Sequence, residues 1–202
     1  MALKAIFFDV GETLVDEERS WREVAARAGV GPHVLWAALG VTIERGEEHA
    51  ELWRHLGIGR PKAWDELVYE RSDLYPDALA CLESLRERGL FVGIAGNQTT
   101  ALEQWALDEA LPADVIASSA SWGVRKPDRR FFERVIEVAA CDPAEIAYAG
   151  DRVDNDVAPA RAAGLVAVHV RRGPWGRLQS GEDAHVIVDT LAELPAALAS
   201  LM

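Results

Sequence analysis

Short apolar runs recur along the chain and alternate with amphipathic stretches. Runs of this kind are typical of strands that a parallel sheet buries on both faces. They predict six strands, at residues 5–8, 90–95, 114–117, 145–149, 165–170 and 185–188. Helical patterns lie between them at 75–89 and 128–141, the first closed by Gly89. The alternation predicts a doubly wound α/β fold around a parallel sheet.

One segment, residues 16–74, breaks this alternation because it holds several helical patterns and no convincing strand. We therefore predict a helical insertion, or cap, on a core formed by residues 1–15 and 75–202. Aromatic side chains at helical spacing usually form a core, although they can also line a pocket. Both interpretations stay open for the four tryptophans of the segment, which are Trp21, Trp36, Trp53 and Trp64.

The composition is that of an ordinary globular protein, with half of the 202 residues apolar and 27% charged. A net charge of −12 disfavours nucleic-acid and anionic membrane partners, so a small anionic substrate would need a metal or local positive charge. Cys81 and Cys141 lack a CxxC spacing and are expected to be reduced, buried thiols. The first apolar run stops at Asp9, which excludes a signal peptide there and leads us to expect a cytoplasmic protein.

Acidic residues follow two of the predicted strands. Asp9 ends the run at 5–8, and Asp151 ends the run at 145–149, with Asp154 and Asp156 shortly after it. Ligands of open α/β sheets bind at the carboxyl ends of strands, although turn and N-cap aspartates are also common there. Carboxylates are suitable Mg²⁺ ligands, so Asp9, Asp151 and Asp156 are candidates, whereas Asp154 is expected to be solvated.

A basic residue, Lys126, precedes Pro127 and the predicted helix at 128–141. Proline disfavours helical geometry in the residue before it, which restricts the direction of Lys126. A lysine held beside two carboxylates could neutralise a phosphoryl group or the nucleophile. An isolated lysine would be an ordinary surface residue, so this assignment depends on the carboxylates.

Taken together, these motifs resemble those of the haloacid-dehalogenase-like hydrolases over essentially the whole chain. "FFDVGETL" is similar to the first motif and supplies Asp9 and Thr13, "VRKPD" supplies Lys126, and "GDRVDND" supplies Asp151 and Asp156. The resemblance implies a Rossmann-like core with a small C1-type helical cap. It also implies that Asp9 attacks phosphorus and forms an aspartyl-phosphate that water then hydrolyses.

The resemblance further implies the roles of the other site residues. Mg²⁺ would bind the carboxylates of Asp9 and Asp151 and the main-chain carbonyl of Gly11, while Asp156 would support the metal or Lys126. Lys126 would hold the phosphoryl oxygens together with Asp9. Phosphate or substrate contacts are implied for Thr13, Gly96, Asn97 and Lys126.

Two positions depart from the family pattern. Gly11 replaces the aspartate that acts as general acid and base in the family's phosphatases, and such a group typically contributes about 10²–10⁴-fold. Gly96 replaces the Ser or Thr that binds a phosphoryl oxygen, for which Thr99 or Thr100 could substitute. Glu12 is a possible displaced acid, but adjacent side chains of an extended chain point to opposite sides.

We therefore expect a Mg²⁺-dependent hydrolase of small phosphorylated metabolites that is slow unless another group replaces the missing acid. A first alternative is a binding or regulatory protein that keeps the fold and the metal site. A second is cleavage of a carbon–halogen bond, for which the family's enzymes use no Mg²⁺, or of a carbon–phosphorus bond, which needs a cap lysine such as Lys62. Arg125 and Trp175 are further candidates for the border of the site, and the five histidines show no zinc-like spacing. The substrate and the oligomeric state cannot be deduced.

Overall fold

The fold is built around a parallel sheet of six strands in a computed structural model that describes residues 2–64 and 66–201. The strands are β1 (Ala5–Phe8), β2 (Phe91–Gly96), β3 (Val115–Ser118), β4 (Ile146–Gly150), β5 (Val166–Val170) and β6 (Val186–Val188). Their order is β3-β2-β1-β4-β5-β6. The prediction of a doubly wound α/β fold is confirmed, and all six predicted strands are present with ends within one residue.

Helices cover both faces of this sheet. In chain order they are α1 (Glu18–Arg27), α2 (Pro32–Glu44), α3 (Leu52–His55), α4 (Ala78–Glu87), α5 (Thr100–Asp108), α6 (Ser119–Trp122), α7 (Arg129–Ala139), α8 (Ala158–Ala162), α9 (Gly173–Leu178) and α10 (Leu194–Ala197). The helices predicted at 75–89 and 128–141 are α4 and α7. Short 3₁₀ turns lie at His49–Glu51, Lys62–Trp64, Arg71–Asp73 and Pro143–Glu145, and a single π-helical turn spans Val153–Val157.

Side chains of the central strand alternate between the two hydrophobic layers, as the two-residue period of a strand requires. Ile6 and Phe8 pack in the layer that includes residues of α4, α5 and α10. Ala5 and Phe7 pack in the opposite layer, with α7 and α8. Each of these four side chains is completely buried. These two layers hold β1 at the centre of the sheet. They therefore also hold Asp9, the residue that follows β1, at the end of the central strand.

The helices of residues 18–55 form a third hydrophobic cluster, separate from those of the sheet. Trp21 and Trp53 are buried in it, and Trp36 and Trp64 pack against it. Trp175 of α9 also belongs to this cluster, so it joins these helices to α9. The core interpretation of the tryptophans therefore holds, although Trp21 and Trp64 also line the cavity described below.

The chain enters and leaves the insertion at neighbouring points. Val15 forms an antiparallel bridge with Leu74, and the N–H of Tyr75 donates to the carbonyl of Leu14 over 2.9 Å. The N–H of Asp16 donates to the carbonyl of Asp73 over 2.8 Å. These contacts lie at the boundaries predicted for the insertion, and the division into a core and a cap stays a prediction.

The two thiols differ in burial. Cys81 is buried as expected, whereas Cys141 is only partly buried because it follows the end of α7, and both thiols are free. In the part of the chain that the structure describes, no single helix has the length and apolar character needed to cross a bilayer. Among the described residues, only α1 and α2 counted together have the required length and apolar character, and the chain bends by 109° between them.

Candidate active site

Three carboxylates meet where the two central strands end. Asp9 follows β1 and Asp151 follows β4, and these strands are neighbours in register, with Phe8 opposite Ala149. The N–H of Asp9 continues this ladder by donating to the carbonyl of Ala149 over 2.8 Å. Asp156 lies in the π-helical turn after β4. Carboxylate oxygens of the three aspartates all lie within 4.8 Å of one another, so the structure brings together the residues that the sequence singled out.

Lys126 lies between two of these carboxylates. Its Nζ is 2.7 Å from Oδ1 of Asp9 and 2.6 Å from Oδ1 of Asp156, and the lysine is 1% exposed. Burial alone would lower the pKa of Lys126, but the charges of Asp156 and Asp9 outweigh burial and raise the pKa well above its ordinary value. Lys126 is therefore a fixed cation that touches the predicted nucleophile.

Asn97 holds the backbone of Lys126 in place. Its Oδ1 accepts the N–H of Lys126 over 2.8 Å, and its Nδ2 donates to the carbonyl of the same residue over 3.0 Å. The asparagine follows β2 directly and also lines the cavity. Its side chain thus orients Lys126, and a phosphate contact of Asn97 stays a prediction.

The carboxylate cluster carries more negative charge than its lysine neutralises. Burial, followed by the charges of Asp156 and Asp9, raises the pKa of Asp151 well above its usual value. Burial also raises the pKa of Asp156, against the opposing effect of Lys126. Asp156 already accepts Lys126 Nζ at one oxygen and the N–H of Arg152, over 3.0 Å, at the other.

These donors are suited to a hard divalent cation. Buried carboxylate oxygens that repel one another are relieved when such a cation binds, and Mg²⁺ commonly uses one or two carboxylates with water and substrate oxygens. Asp9 and Asp151 meet that description best, since both oxygens of Asp156 have protein partners. The residues present therefore fit the expected metal.

A cavity of about 410 Å³ lies over Asp9 and Asp151, between the core and the inserted helices. Its lining combines polar and charged groups with aromatic rings of the insertion. Its lining includes Asp9, Gly11, Glu12, Glu17, Trp21, His49, Trp64, Tyr69, Asn97, Thr99, Arg125, Asp151, Arg152 and Trp175. The volume is within the range of sites for small molecules.

Glu17, which precedes α1, fills the space beside Gly11. A β-carbon built on Gly11 would lie 2.6 Å from Oε1 of Glu17. The Glu17 carboxylate accepts hydrogen bonds from the hydroxyl of Tyr69 and, over 3.2 Å, from Nε1 of Trp21. Burial raises the pKa of Glu17, these hydrogen bonds lower it, and the charge of Asp9 raises it further. Glu17 follows the first motif closely, but its place beside Gly11 depends on how the chain folds back after Val15, which no local pattern shows.

Glu12 is placed differently. Its backbone is in the left-handed region, with φ of 51°. Its carboxylate accepts the hydroxyl of Tyr75 over 2.7 Å and the N–H of Glu17 over 3.3 Å. Burial, with the neighbouring charge of Glu17, raises the pKa of Glu12 to about 8. These contacts connect Glu12 to the base of the insertion.

Gly96 lies against the nucleophile position. A β-carbon on Gly96 would overlap Oδ1 of Asp9, so the glycine leaves room for the orientation in which Asp9 contacts Lys126. Thr99 lines the cavity, but its hydroxyl accepts the N–H of Leu102 over 3.3 Å as the N-cap of α5. Thr100 is exposed in the first turn of that helix.

Thr13 is not brought to the cavity. Its side chain is completely buried, its hydroxyl has no partner among the described residues, and its carbonyl accepts Arg172 over 3.1 Å. The direct phosphate contact implied for Thr13 is therefore not supported, because the chain turns Thr13 into the protein interior.

Other predicted residues divide into two groups. Arg125 and Trp175 reach the cavity, whereas the exposed Lys62 is not among the described residues that line it. Asp154 pairs with Arg152 over 2.5 Å and stands outside the carboxylate cluster. Arg152 in turn lies 3.7 Å from the ring centre of Trp175.

His49 was not singled out by the sequence because histidine spacing gave no signal. Its ring contacts those of Trp21, Trp64 and Trp175, with centroid separations of 4.9–5.6 Å. Burial lowers the pKa of His49 to about 3, and the positive charge of Arg152 adds to this effect. The histidine is therefore neutral at physiological pH.

Comparisons with known proteins identify the family of this chain. A family model for haloacid dehalogenase-like hydrolases matches residues 3–164. The glyceraldehyde 3-phosphate phosphatase of Methanopyrus kandleri is 26% identical over 91% of both chains. The phosphoserine phosphatase of Thermus thermophilus is 37% identical over 77% of this chain and 55% of its own length. A crystal structure of a HAD phosphatase from Thermococcus onnurineus superimposes with a TM-score of 0.66 at 22% identity, over 98% of both chains.

A six-stranded parallel sheet with helices on both faces and carboxylates at the carboxyl ends of its central strands defines a Rossmann-like α/β protein. The chain belongs to the haloacid dehalogenase-like hydrolases. The resemblance inferred from the motifs is confirmed.

Proposed function

We propose that this protein hydrolyses small phosphate monoesters with the help of Mg²⁺, through an aspartyl-phosphate on Asp9. One observation carries the proposal: Asp9 contacts Lys126 over 2.7 Å, lies within the Asp151 cluster and lines a cavity of about 410 Å³. A carboxylate positioned in this way can meet a phosphoryl group that enters from the cavity.

The residues present support two successive displacements. A carboxylate oxygen of Asp9 attacks phosphorus, and the bond from phosphorus to the ester oxygen breaks. Water then attacks phosphorus, and the bond to Asp9 breaks to release inorganic phosphate. Lys126 holds Asp9 in position and offsets the charge of the phosphoryl oxygens through both displacements. Mg²⁺, held by Asp9, Asp151 and the carbonyl of Gly11 with Asp156 in support, would supply further positive charge to these oxygens.

The relatives support the substrate class. Two of them are named for the hydrolysis of glyceraldehyde 3-phosphate and of phosphoserine, which are small phosphate monoesters. A cavity of this size accommodates molecules of that kind. The protein therefore acts, in this proposal, on a small phosphorylated metabolite, and its cytoplasmic location stays a prediction.

The test is a phosphate-ester screen with and without Mg²⁺, using p-nitrophenyl phosphate, acetyl phosphate and a panel of sugar and amino-acid phosphates. Asp9→Asn should abolish turnover because an amide is a poor nucleophile. Asp108→Asn is the matched control, since Asp108 is exposed at the end of α5. Absence of turnover across the panel, or equal rates for Asp9→Asn and the wild type, would contradict the proposal.

A binding or regulatory role is a second candidate, favoured by Gly11 and Gly96, which lack the side chains that phosphatases of the family use. The geometry needed to bind a phosphoryl group would then remain without efficient chemistry. Calorimetry with Mg²⁺ and beryllofluoride distinguishes the two roles. Binding of both without turnover on the panel would favour the regulatory role, whereas turnover that depends on Asp9 would exclude it.

A further inference from the structure

The first displacement creates a chemical need that Asp9 and Lys126 do not meet. When the bond from phosphorus to an alkyl ester oxygen breaks, the departing oxygen needs a proton. When water attacks the phosphorylated Asp9, the water must lose a proton. A side chain that exchanges one proton in both steps has to lie in the cavity and reach the position in front of Asp9.

We propose that the Glu17 carboxyl group is this proton donor and acceptor, and that it occupies the place of the side chain that Gly11 lacks. The inference rests on the proposed phosphatase function and deepens it. The evidence is spatial, since a β-carbon on Gly11 would lie 2.6 Å from Oε1 of Glu17 and 2.8 Å from its carboxyl carbon. A side chain on residue 11 and the present position of Glu17 therefore exclude each other.

The Glu17 carboxyl is also held in place by two hydrogen bonds. Tyr69 and Trp21 donate hydrogen bonds to its two oxygens from different segments of the insertion. Each carboxylate oxygen can accept a second hydrogen bond, so a water can still donate to Glu17, and the protonated carboxyl can donate its O–H to an ester oxygen. Glu17 and Asp9 line the same cavity.

Glu12 and Glu48, two other glutamates of the cavity lining, are less suitable. The carboxylate of Glu12 is engaged by Tyr75 and by the backbone of Glu17, and Glu12 packs where a β-carbon of Gly173 would lie. Glu48 is exposed at the edge of the cavity. Glu17 therefore combines a fixed direction with proximity to the missing side chain of Gly11.

The proton transfers balance in both steps. The protonated Glu17 gives its proton to the departing ester oxygen as Asp9 bonds to phosphorus, which yields an alcohol and the Glu17 carboxylate. That carboxylate takes a proton from the attacking water as the bond between phosphorus and Asp9 breaks. The sum is one ester and one water converted to one alcohol and one phosphate, with Glu17 protonated again.

The experiment compares a poor and a good leaving group in Glu17→Gln. Glycerol phosphate needs a proton on its leaving oxygen, so its kcat should fall by about 10²–10⁴-fold. The leaving oxygen of p-nitrophenyl phosphate needs almost no protonation. The first displacement should therefore continue and release a rapid burst of one equivalent of nitrophenolate per protein. Slow turnover follows, since water attack has lost its base. Glu18→Gln is the matched control, because Glu18 is the adjacent residue and its exposed carboxylate pairs with Arg22.

A relocated carboxylate gives a second, independent readout. Gly11→Ala should displace Glu17 and slow glycerol phosphate hydrolysis, since the new β-carbon needs the space of Oε1. The double variant Gly11→Asp with Glu17→Ala should hydrolyse glycerol phosphate at least tenfold faster than Glu17→Ala alone, since it returns a carboxylate to that space. A purely structural role of Glu17 predicts no such recovery and equal losses with both substrates.

The outcomes separate this inference from the proposed function. Wild-type turnover with unchanged Glu17→Gln rates on both substrates overturns the role of Glu17 and leaves the phosphatase proposal intact. If Glu12→Gln, and not Glu17→Gln, slows glycerol phosphate hydrolysis more than p-nitrophenyl phosphate hydrolysis, the role of Glu17 is likewise overturned and the phosphatase proposal stands. Absence of wild-type turnover on both substrates and across the phosphate-ester panel, without any burst, contradicts the phosphatase proposal itself.

Discussion

Nζ of Lys126 lies 2.6 Å from Oδ1 of Asp156, and both side chains are completely shielded from solvent. A buried ion pair of this kind is costly to form, and breaking it leaves an uncompensated charge in the interior. The same ammonium contacts Asp9, so it links the predicted nucleophile to the turn after β4.

Lys126→Met should destabilise the protein by about 3–5 kcal/mol, because two buried carboxylates lose their cation. Urea denaturation without Mg²⁺ measures the free energy of unfolding. Adding Asp156→Asn should recover part of the loss, since one of the unpaired charges disappears. Arg129→Met is the control, because Arg129 is 80% exposed on α7. An unchanged unfolding midpoint for Lys126→Met would show that this contact contributes nothing.

Mg²⁺ should raise the melting temperature of the wild type, because a ligand that binds only the folded state stabilises it. Asp151→Asn should remove most of this shift, since Asp151 belongs to the carboxylate cluster. Asp154→Asn should keep the shift, because Asp154 pairs with Arg152 outside that cluster. Differential scanning fluorimetry across a Mg²⁺ titration makes the comparison, and equal shifts in the two variants would argue against the site.

Gly96→Ala should lower kcat by at least tenfold with little loss of stability. The new β-carbon would displace Oδ1 of Asp9 from its position beside Lys126, and small misplacements of a reacting group can cost about 10²-fold. The end of a side chain can move, so folding is affected less than catalysis. Gly40→Ala is the control because a β-carbon there meets nothing within 4 Å. Unchanged kcat in Gly96→Ala would show that Asp9 tolerates another orientation.

His49 should make the folded state sensitive to acid. Its folded pKa of about 3 lies below the unfolded value of 6.5, so between these pH values the unfolded chain binds a proton that the folded chain does not. The free energy of unfolding should therefore decrease as pH falls below 6.5, by at most about 1.4 kcal/mol per pH unit from this residue. Above pH 6.5 the histidine is neutral in both states and has no effect.

His49→Phe should make that decrease shallower, because the phenyl ring cannot take up a proton. Urea denaturation at several pH values between 4 and 7.5 measures the slope for both proteins. His33→Phe serves as the control, since His33 is exposed near the start of α2. If His49→Phe and the wild type had the same slope, the histidine would be accessible to protons in the folded state.

The sequence by itself determined the sheet, the order of its motifs and the residues at its carboxyl edge. Strand periodicity is local, and apolar runs that end in Asp9 and Asp151 are visible in a few consecutive residues. Because parallel strands end at one edge, the meeting of Asp9 and Asp151 could be expected before the structure was known, and the motif resemblance implied that Lys126 joins them.

Only the tertiary structure decided what fills the space beside these residues. The position of Glu17 against Gly11 depends on how the insertion folds back over β1, and Tyr69, 52 residues away along the chain, fixes it. The burial of Thr13 and the enclosure of His49 by tryptophans depend on similar packing. Contacts between segments this far apart leave no periodic pattern in the sequence, because they are selected by shape and charge after the helices and the sheet have formed.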